Sequence, residues 1–362
     1  VIILAAGRRR RLGDKFGWQS RARHGCAVVV VVHAAHAPAA LMGLSVLIAT
    51  RVGMGMGEAV TFPSIYSLYS RWIPLAERSR AVAIANSGIP LGTVFALVAT
   101  PYIVQAWGWE WAFYSFGLVG VVWFVVWQRT VTASPDTHAG IDAAELALIQ
   151  IDSPAERPAR PKWGEFFSKM PVWAIIVAHF CNNWSLYVLL SWLPTFVNKG
   201  LGVDYGSVGW VTMIPHIASF VMLNVAGNVA DRMIKSGMDV GRVRKICQTI
   251  GFGGIAGALS IVGEVDSVWM AITIMSIGNG LGAFVTGGFA VNHMDIAPKH
   301  AGTLMGITNT AGTIPGIIGV SVSGLILQQT GSWALVFQVA AGVTLFGLLF
   351  YLLFSSGKKL ID

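Results

Sequence analysis

The stretch from Ala301 to Gly357 reads AGTLMGITNTAGTIPGIIGVSVSGLILQQTGSWALVFQVAAGVTLFGLLFYLLFSSG and contains no Asp, Glu, Lys or Arg. A hydrocarbon core of about 30 Å is crossed by about 20 apolar helical residues. The stretch is therefore long enough for two spans, and Gln328-Gln-Thr-Gly-Ser-Trp333 supplies the turn between them. Runs this long and uniform lack the alternation of lipid-facing barrel strands, so strands are excluded. Charge-free segments of spanning length recur upstream at Ala81–Trp109, Trp111–Gln128, Met170–Asn198, Tyr205–Ala230, Ile246–Gly263 and Ser267–Met294. Leu41–Tyr69 reads as another span although it holds Arg51 and Glu58. Cys26–Ala40, with His33, His36 and Pro38, is a weaker candidate. The expectation is an all-α, polytopic bundle of nine spans with a tenth weakly marked.

Composition agrees. Of 362 residues, 54% are hydrophobic and 12% charged, against about 25% charged in a soluble domain. The 42 glycines and 14 tryptophans suit helices packed in lipid. Disordered, cytosolic and disulfide-stapled classes are excluded. The formal net charge of +8 arises mainly from Arg8, Arg9, Arg10, Arg11, Lys15, Arg21 and Arg23, opposed in that segment by Asp14. It does not mark a nucleic-acid-binding face. Cys26, Cys181 and Cys247 fit neither a disulfide framework nor a metal box, so no metal or cofactor is expected. The chain begins at Val1 without an interpretable targeting peptide and reads as a fragment.

Basic residues outside the spans fall on alternate loops. Arg71, Arg78 and Arg80 form one group; Arg129, Arg157, Arg160, Lys162 and Lys169 the next; then Arg232, Lys235, Arg242, Arg244 and Lys245; then Lys299; then Lys358 and Lys359. The intervening loops carry Lys199 alone, a positive-inside bias that places the basic loops and the C-terminus on the cytoplasm-like face. Thr130–Lys169, with Pro135, Pro154, Pro158 and Pro161, reads as a linker. The organisation expected is an atypical basic segment over 1–40, an incomplete helical half over 41–129, a linker over 130–169, a six-helix half over 170–357 and a tail over 358–362.

The halves echo each other. Trp72-Ile-Pro74 pairs with Ile296-Ala-Pro298, Gly88-Ile-Pro-Leu-Gly92 with Gly312-Thr-Ile-Pro-Gly316, and Asp14-Lys15 with Asp231-Arg232. Parallel repeats of six helices are a transporter architecture. Asp231 follows the second span of its half, whereas few residues precede Asp14, so the first one to two helices of the bundle are expected to be missing.

Several motifs occur together: Arg51-Val-Gly-Met-Gly-Met-Gly-Glu58, Phe62-Pro63, Glu77-Arg78-Ser79-Arg80, Phe113-Tyr-Ser-Phe-Gly117, His179-Phe-Cys-Asn-Asn-Trp184 and Asn292-His-Met-Asp-Ile-Ala-Pro298. The set resembles the anion transporters of the major facilitator superfamily that include sialin, the vesicular glutamate carriers and sodium-phosphate carriers. Arg244-Lys-Ile-Cys-Gln248 and Gly357-Lys-Lys-Leu-Ile-Asp362 are most similar to the plant and algal plastid phosphate/anion members. The resemblance runs from about Met42 to the end. Before Met42 it fails apart from Leu12–Gly17, as a reading-frame error or a wrong exon boundary would produce. It implies two helical halves rocking about a small anionic solute, H+ or Na+ as coupling ion, and the lipid bilayer as surroundings. No obligatory protein partner is evident, and a plastid envelope or thylakoid membrane is suggested.

Arg51 and Glu58 are the charges set deep in a span, where a lone ion costs at least about 2.5–3.5 kcal/mol. Seven residues at about 100° each return to within about 20° of one direction, about 10.5 Å along the axis. The two therefore share a face without making a snug ion pair. Arg51 suits the anion, because guanidinium matches carboxylate or phosphate with paired hydrogen bonds, and Glu58 suits the coupling proton. The competing reading is an internal charge network that only holds helices together. His179, Asn182, Asn183 and Tyr187 in one apolar span, and Asn309 in another, need polar partners and are candidates for lining the solute path. Glutamate-carrying relatives have arginine at the position of Asn182, which argues against glutamate as solute. Asn279 is a similar polar candidate. Glu77, Arg78, Arg80, Asp14, Asp231 and Arg232 resemble the cytoplasmic latches of the superfamily; as solvated loop charges they would contribute about 0–1 kcal/mol per pair. Gly88/Gly92 and Gly312/Gly316 read as small-residue packing seams.

The function these features favour is secondary active transport of inorganic phosphate or a small organic anion. A truncated, non-transporting remnant of such a carrier is the alternative, since the family's first span supplies a basic site residue with no counterpart here. An intramembrane enzyme would need a base oriented by an acid. His293 has Asp295 nearby in sequence, but the two do not share a helical face, so no enzyme is expected.

Overall fold

A computed structural model describes residues 35–132, 134–135, 138, 140–151 and 163–361. Among these, every regular element is helical. The elements are α1 His36–Met42, α2 Leu44–Glu58, α3 Thr61–Trp72, α4 Arg78–Trp107, α5 Glu110–Thr130, α6 Ala143–Gln150, α7 Trp163–Phe167, α8 Met170–Thr195, α9 Tyr205–Lys235, α10 Val240–Val262, α11 Val268–Gly282, α12 Phe289–Ile296, α13 Ala301–Thr313, α14 Pro315–Thr330 and α15 Trp333–Phe354. With their flanking short turns they make 8 helices long and apolar enough to cross a membrane.

The turn expected at Gln328–Trp333 is present. Gly331, at φ +66°, closes α14, and its N–H donates to the Leu327 carbonyl at 2.9 Å. The Leu41–Tyr69 segment differs from expectation, because α2 ends at Glu58 and α3 starts at Thr61. Gly53, Gly55 and Gly57 each weaken the end of α2 by about 1 kcal/mol relative to alanine. A helix continued through Pro63 would set its ring against the carbonyl four residues back. In the first turn of α3 that ring is tolerated, because its missing N–H would have no helical partner there. The Cys26–Ala40 candidate lies mostly outside the described residues, apart from the start of α1.

The repeat appears as local structure. A three-residue turn, Leu75–Glu77, follows Pro74 and leads into α4; another, Pro298–His300, leads into α13. Pro90 leaves α4 continuous, whereas Pro315 separates α13 from α14.

The described residues divide into two compact units, one within Val1–Pro74, Ala99–Arg157 and Ala301–Gly306, the other within Leu75–Val98, Pro158–His300 and Ile307–Asp362. In the first, His36 of α1 stacks on Phe113 of α5 with centroids 5.7 Å apart, and Gly302 lies too close to the Pro63 carbonyl and Ser67 to admit a Cβ. On α5, Trp111, Leu118, Val119, Val122 and Trp123 are exposed, as lipid-facing residues of a span must be.

The second unit holds the main core. Val188, Leu189 and Leu193 of α8 pack with Leu259 and Val262 of α10, Ile272 and Met275 of α11, and Phe337, Ala340 and Ala341 of α15. Glycine makes the close approach possible. Gly254 of α10 faces Leu281, Gly278 of α11 faces Ala258, and Gly347 of α15 faces Cys181 and Phe252, each without room for a Cβ. In lipid, where burial of apolar area gives little drive, such backbone approach supplies the packing contacts.

Candidate functional site

In the first unit, α2 carries Arg51 and Glu58. It starts after Gly43, whose φ of +119° is open to glycine, and runs two turns from one charge to the other. Both side chains are exposed. Among the described residues the ion pairs are Arg244–Asp295 and Lys235–Glu77, so Arg51 and Glu58 do not neutralise each other by direct contact. A Cβ added at Gly55, between them, would meet nothing within 4 Å. The result is a helix face with an open cation and an open carboxylate on one side.

In the second unit, α8 presents His179 and Asn183 toward α13 and Tyr187 toward α14, with Asn182 beside Asn183. His179 is 6% exposed and Asn183 9%. His179 Nδ1 lies 3.2 Å from Thr308 Oγ1, and the same hydroxyl lies 2.8 Å from His293 Nε2. The Asn183 amide donates to the Gly312 carbonyl at 2.8 Å, and the Asn182 amide donates to Asn183 Oδ1 at 3.2 Å. A Cβ at Gly312 would fall 2.8 Å from the His179 ring and 3.0 Å from the Asn183 amide, and one at Gly316 would fall 3.3 Å from Tyr187. Gly312/Gly316 is thus a packing seam. Its counterpart is not one: Gly88 and Gly92 have no described atom within 4 Å of an added Cβ. His179 and Asn183 direct their polar atoms into this seam, whereas Asn182, Tyr187 and Asn309 are half-buried.

The loop charges are also placed. Asp231, near the end of α9, accepts from the backbone N–H of Ser79 at 3.2 Å and of Arg80 at 2.8 Å, so its carboxylate sits on the positive end of α4. Arg78 is buried, with Nη1 3.4 Å from the Met294 carbonyl. Lys235 and Glu77 pair at 3.7 Å while more than half exposed, a contact of little weight. Arg232 is exposed, and Asp14 lies outside the described residues.

A buried ion pair that sequence reading did not connect also lies in this region. Arg244, grouped above with the loop cations, stands in the second turn of α10, and it and Asp295 are each 1% exposed as side chains. Arg244 Nε donates to Asp295 Oδ2 at 2.7 Å and Nη2 donates to Oδ1 at 3.2 Å. Nη1 donates to Ser79 Oγ at 3.1 Å and to the Gly287 carbonyl at 3.2 Å. Asn292 completes the cluster by donating to Asp295 Oδ2 at 3.2 Å and to the Ser356 carbonyl at 2.9 Å. The signal for Arg244 was helical spacing: Val243, Arg244, Cys247, Gln248 and Gly251 form one buried stripe. The signal for its partner was weaker, because nothing local relates residue 244 to residue 295.

Comparison with known proteins relates the chain to a family and a fold. A model of the Major Facilitator Superfamily matches residues 10–320. The chain is 42% identical over 325 residues to the rice (Oryza sativa subsp. japonica) protein named Probable anion transporter 1, chloroplastic, covering 90% of this chain and 61% of that one. It is 39% identical to the Ascorbate transporter, chloroplastic, of Arabidopsis thaliana, covering 90% of this chain and 60% of that one. The chain thus spans roughly three fifths of the length of these relatives. A solved proton:xylose symporter of the same superfamily, bound to 6-bromo-6-deoxy-D-glucose, superposes with a TM-score of 0.78 at 15% identity over 99% of this chain and 85% of that one, a likeness of fold.

Proposed function

This chain belongs to the major facilitator superfamily, and on that premise we propose that it is a secondary active transporter of inorganic phosphate or a small organic anion, coupled to H+ or Na+ and working by alternating access of its two membrane halves. The observation that carries this reading is the exposed, mutually unpaired Arg51 and Glu58 on one face of α2. A guanidinium in an apolar helix without an acidic partner is costly, and an anionic solute offsets that cost while it is bound. Arg51 takes the anion with paired hydrogen bonds, and Glu58 carries the coupling proton. Asn182, Tyr187 and Asn309 are further solute contacts, while His179 and Asn183 hold the wall of α8 against α13. Asp231, Arg78, Arg80, Glu77 and Arg232 serve as the conformational latch. The names of the relatives support an anion as cargo and a plastid membrane as location. The role calls for no cofactor and no catalytic residue.

Uptake of radiolabelled phosphate and ascorbate into proteoliposomes, under imposed proton or sodium gradients, tests this. Arg51→Ala removes a charged hydrogen-bonding partner of the solute, so apparent affinity falls about 10- to 100-fold. Glu58→Gln loses gradient-driven accumulation but retains exchange. Parent-like concentrative uptake by both variants would overturn the assignment.

A further inference from the structure

The tail after α15 returns across the start of α10. Gly357 lies against Gly241 so closely that a Cβ at Gly241 would be 3.0 Å from the Gly357 nitrogen. The tail is held there by Asn292, which donates to the Ser356 carbonyl, and by Leu360 and Ile361, whose N–H groups donate to the Ile296 carbonyl at 2.9 and 3.0 Å. Between the tail and α10 lies a cavity of about 580 Å³. Arg242, Lys245 and Lys358 line it, with Ile246 and Ile250 continuing along the helix.

The charge balance of this cavity is one-sided. None of the three cations is in an ion pair among the described residues. The acid on the wall, Asp239, accepts the Arg242 backbone N–H at 2.9 Å and so caps α10. Three cations drawn around one cavity repel each other unless an anion lies among them. The cavity also sits at the end of a spanning helix, on the face that carries the basic loops, and continues onto isoleucine side chains. A soluble anion would use the cations and leave that apolar floor wet; a lipid uses both.

We propose that this cavity binds the headgroup of an anionic phospholipid, its phosphate among Arg242, Lys245 and Lys358 and its acyl chains along Ile246 and Ile250. Basic pockets at the cytoplasmic ends of spanning helices have the charge and position to recognise such headgroups. The site fixes the C-terminal tail against α10 next to the Arg244–Asp295 cluster, because Asn292 contacts both Ser356 and Asp295. It does not depend on the transport reading.

The test uses the full chain purified in a non-ionic detergent. Phosphatidylglycerol or phosphatidylcholine is titrated in, bound lipid is counted by native mass spectrometry, and thermal unfolding is followed by tryptophan fluorescence. Phosphatidylglycerol is expected to bind tightly and raise the midpoint, and phosphatidylcholine to do neither. Each cation removed weakens binding about fivefold, so Arg242→Gln/Lys245→Gln/Lys358→Gln weakens it on the order of 100-fold. If the triple variant loses helical circular dichroism, the three single variants carry the test through their fivefold losses. Equal binding of the two lipids, or parent-like binding by the variants, overturns the proposal. So does inorganic phosphate that reproduces the stabilisation through these same three side chains, because the site would then take a soluble anion.

Discussion

Asp295→Asn isolates the buried ion pair. The substitution keeps the side-chain size but removes the charge that receives Arg244 Nε at 2.7 Å and Nη2 at 3.2 Å. The guanidinium then remains 1% exposed, with Ser79 Oγ and the Gly287 carbonyl as its remaining acceptors. Neither supplies a negative charge. Breaking a buried pair by removing one partner costs about 3–5 kcal/mol. For a chain of this length each kcal/mol lowers the midpoint by about 2 °C, so the expected loss is about 6–10 °C. Cys181 and Cys247 are buried free thiols, and Cys247 lies one turn from Arg244. In a Cys26→Ser background, a thiol-reactive dye therefore reports the opening of this region at a fixed scan rate. The companion variant, Arg244→Met/Asp295→Leu, removes both charges, and such replacements are near neutral or stabilising; most of the lost midpoint should return. A single variant within about 1 °C of the parent, or a double variant as unstable as the single, would refute the argument that desolvated charge complementarity holds α10 to α12.

Two further outcomes follow from the same geometry. Gly312→Ala forces a Cβ to within 2.8 Å of the His179 ring and should cost about 1–3 kcal/mol by overpacking. Gly88→Ala has open space and should be neutral or gain up to about 1 kcal/mol in helix propensity; equal thermal shifts in the two would contradict the seam. Asp231→Ala strips the acceptor from the Ser79 and Arg80 N–H groups and should cost about 0.5–2 kcal/mol. Asp231→Asn, which keeps an acceptor, should lose less, and matching midpoints for the two would remove the capping role.

The helical pattern of the bundle was legible because lipid imposes a strong local constraint. Every backbone polar group must be satisfied within the segment, so length and absence of charge suffice to recognise a span. The span whose helix is interrupted, Leu41–Tyr69, contains the strongest local breakers, three alternating glycines followed by Pro63. Their joint effect depended on where the helix register placed the proline. The glycine seams show the same limit. Gly88/Gly92 and Gly312/Gly316 are near-identical in sequence, yet only the second meets α8 at His179, Asn183 and Tyr187. Small residues permit close approach, but a neighbour must be present to make it.

Candidate site residues divide likewise. That Arg51 and Glu58 share one face was readable from helical geometry, because spacing along one helix is a local quantity. The partners of His179 and Asn183 were not readable, since Thr308 and Gly312 are more than a hundred residues away in sequence. Loop membership misassigned Arg244 because charge counting ends a span at the first cation. A cation inside a helix becomes tolerable only once a distant carboxylate is known. Most of the long apolar helices, the paired proline and glycine motifs and the charged face of α2 were legible along the chain, because all of them follow from short-range rules of lipid solvation and helix periodicity. Only the tertiary structure decided which polar groups meet, that Arg244 belongs with Asp295, and that the tail closes a basic cavity over α10, because those pairings depend on desolvation and contact between segments remote along the chain.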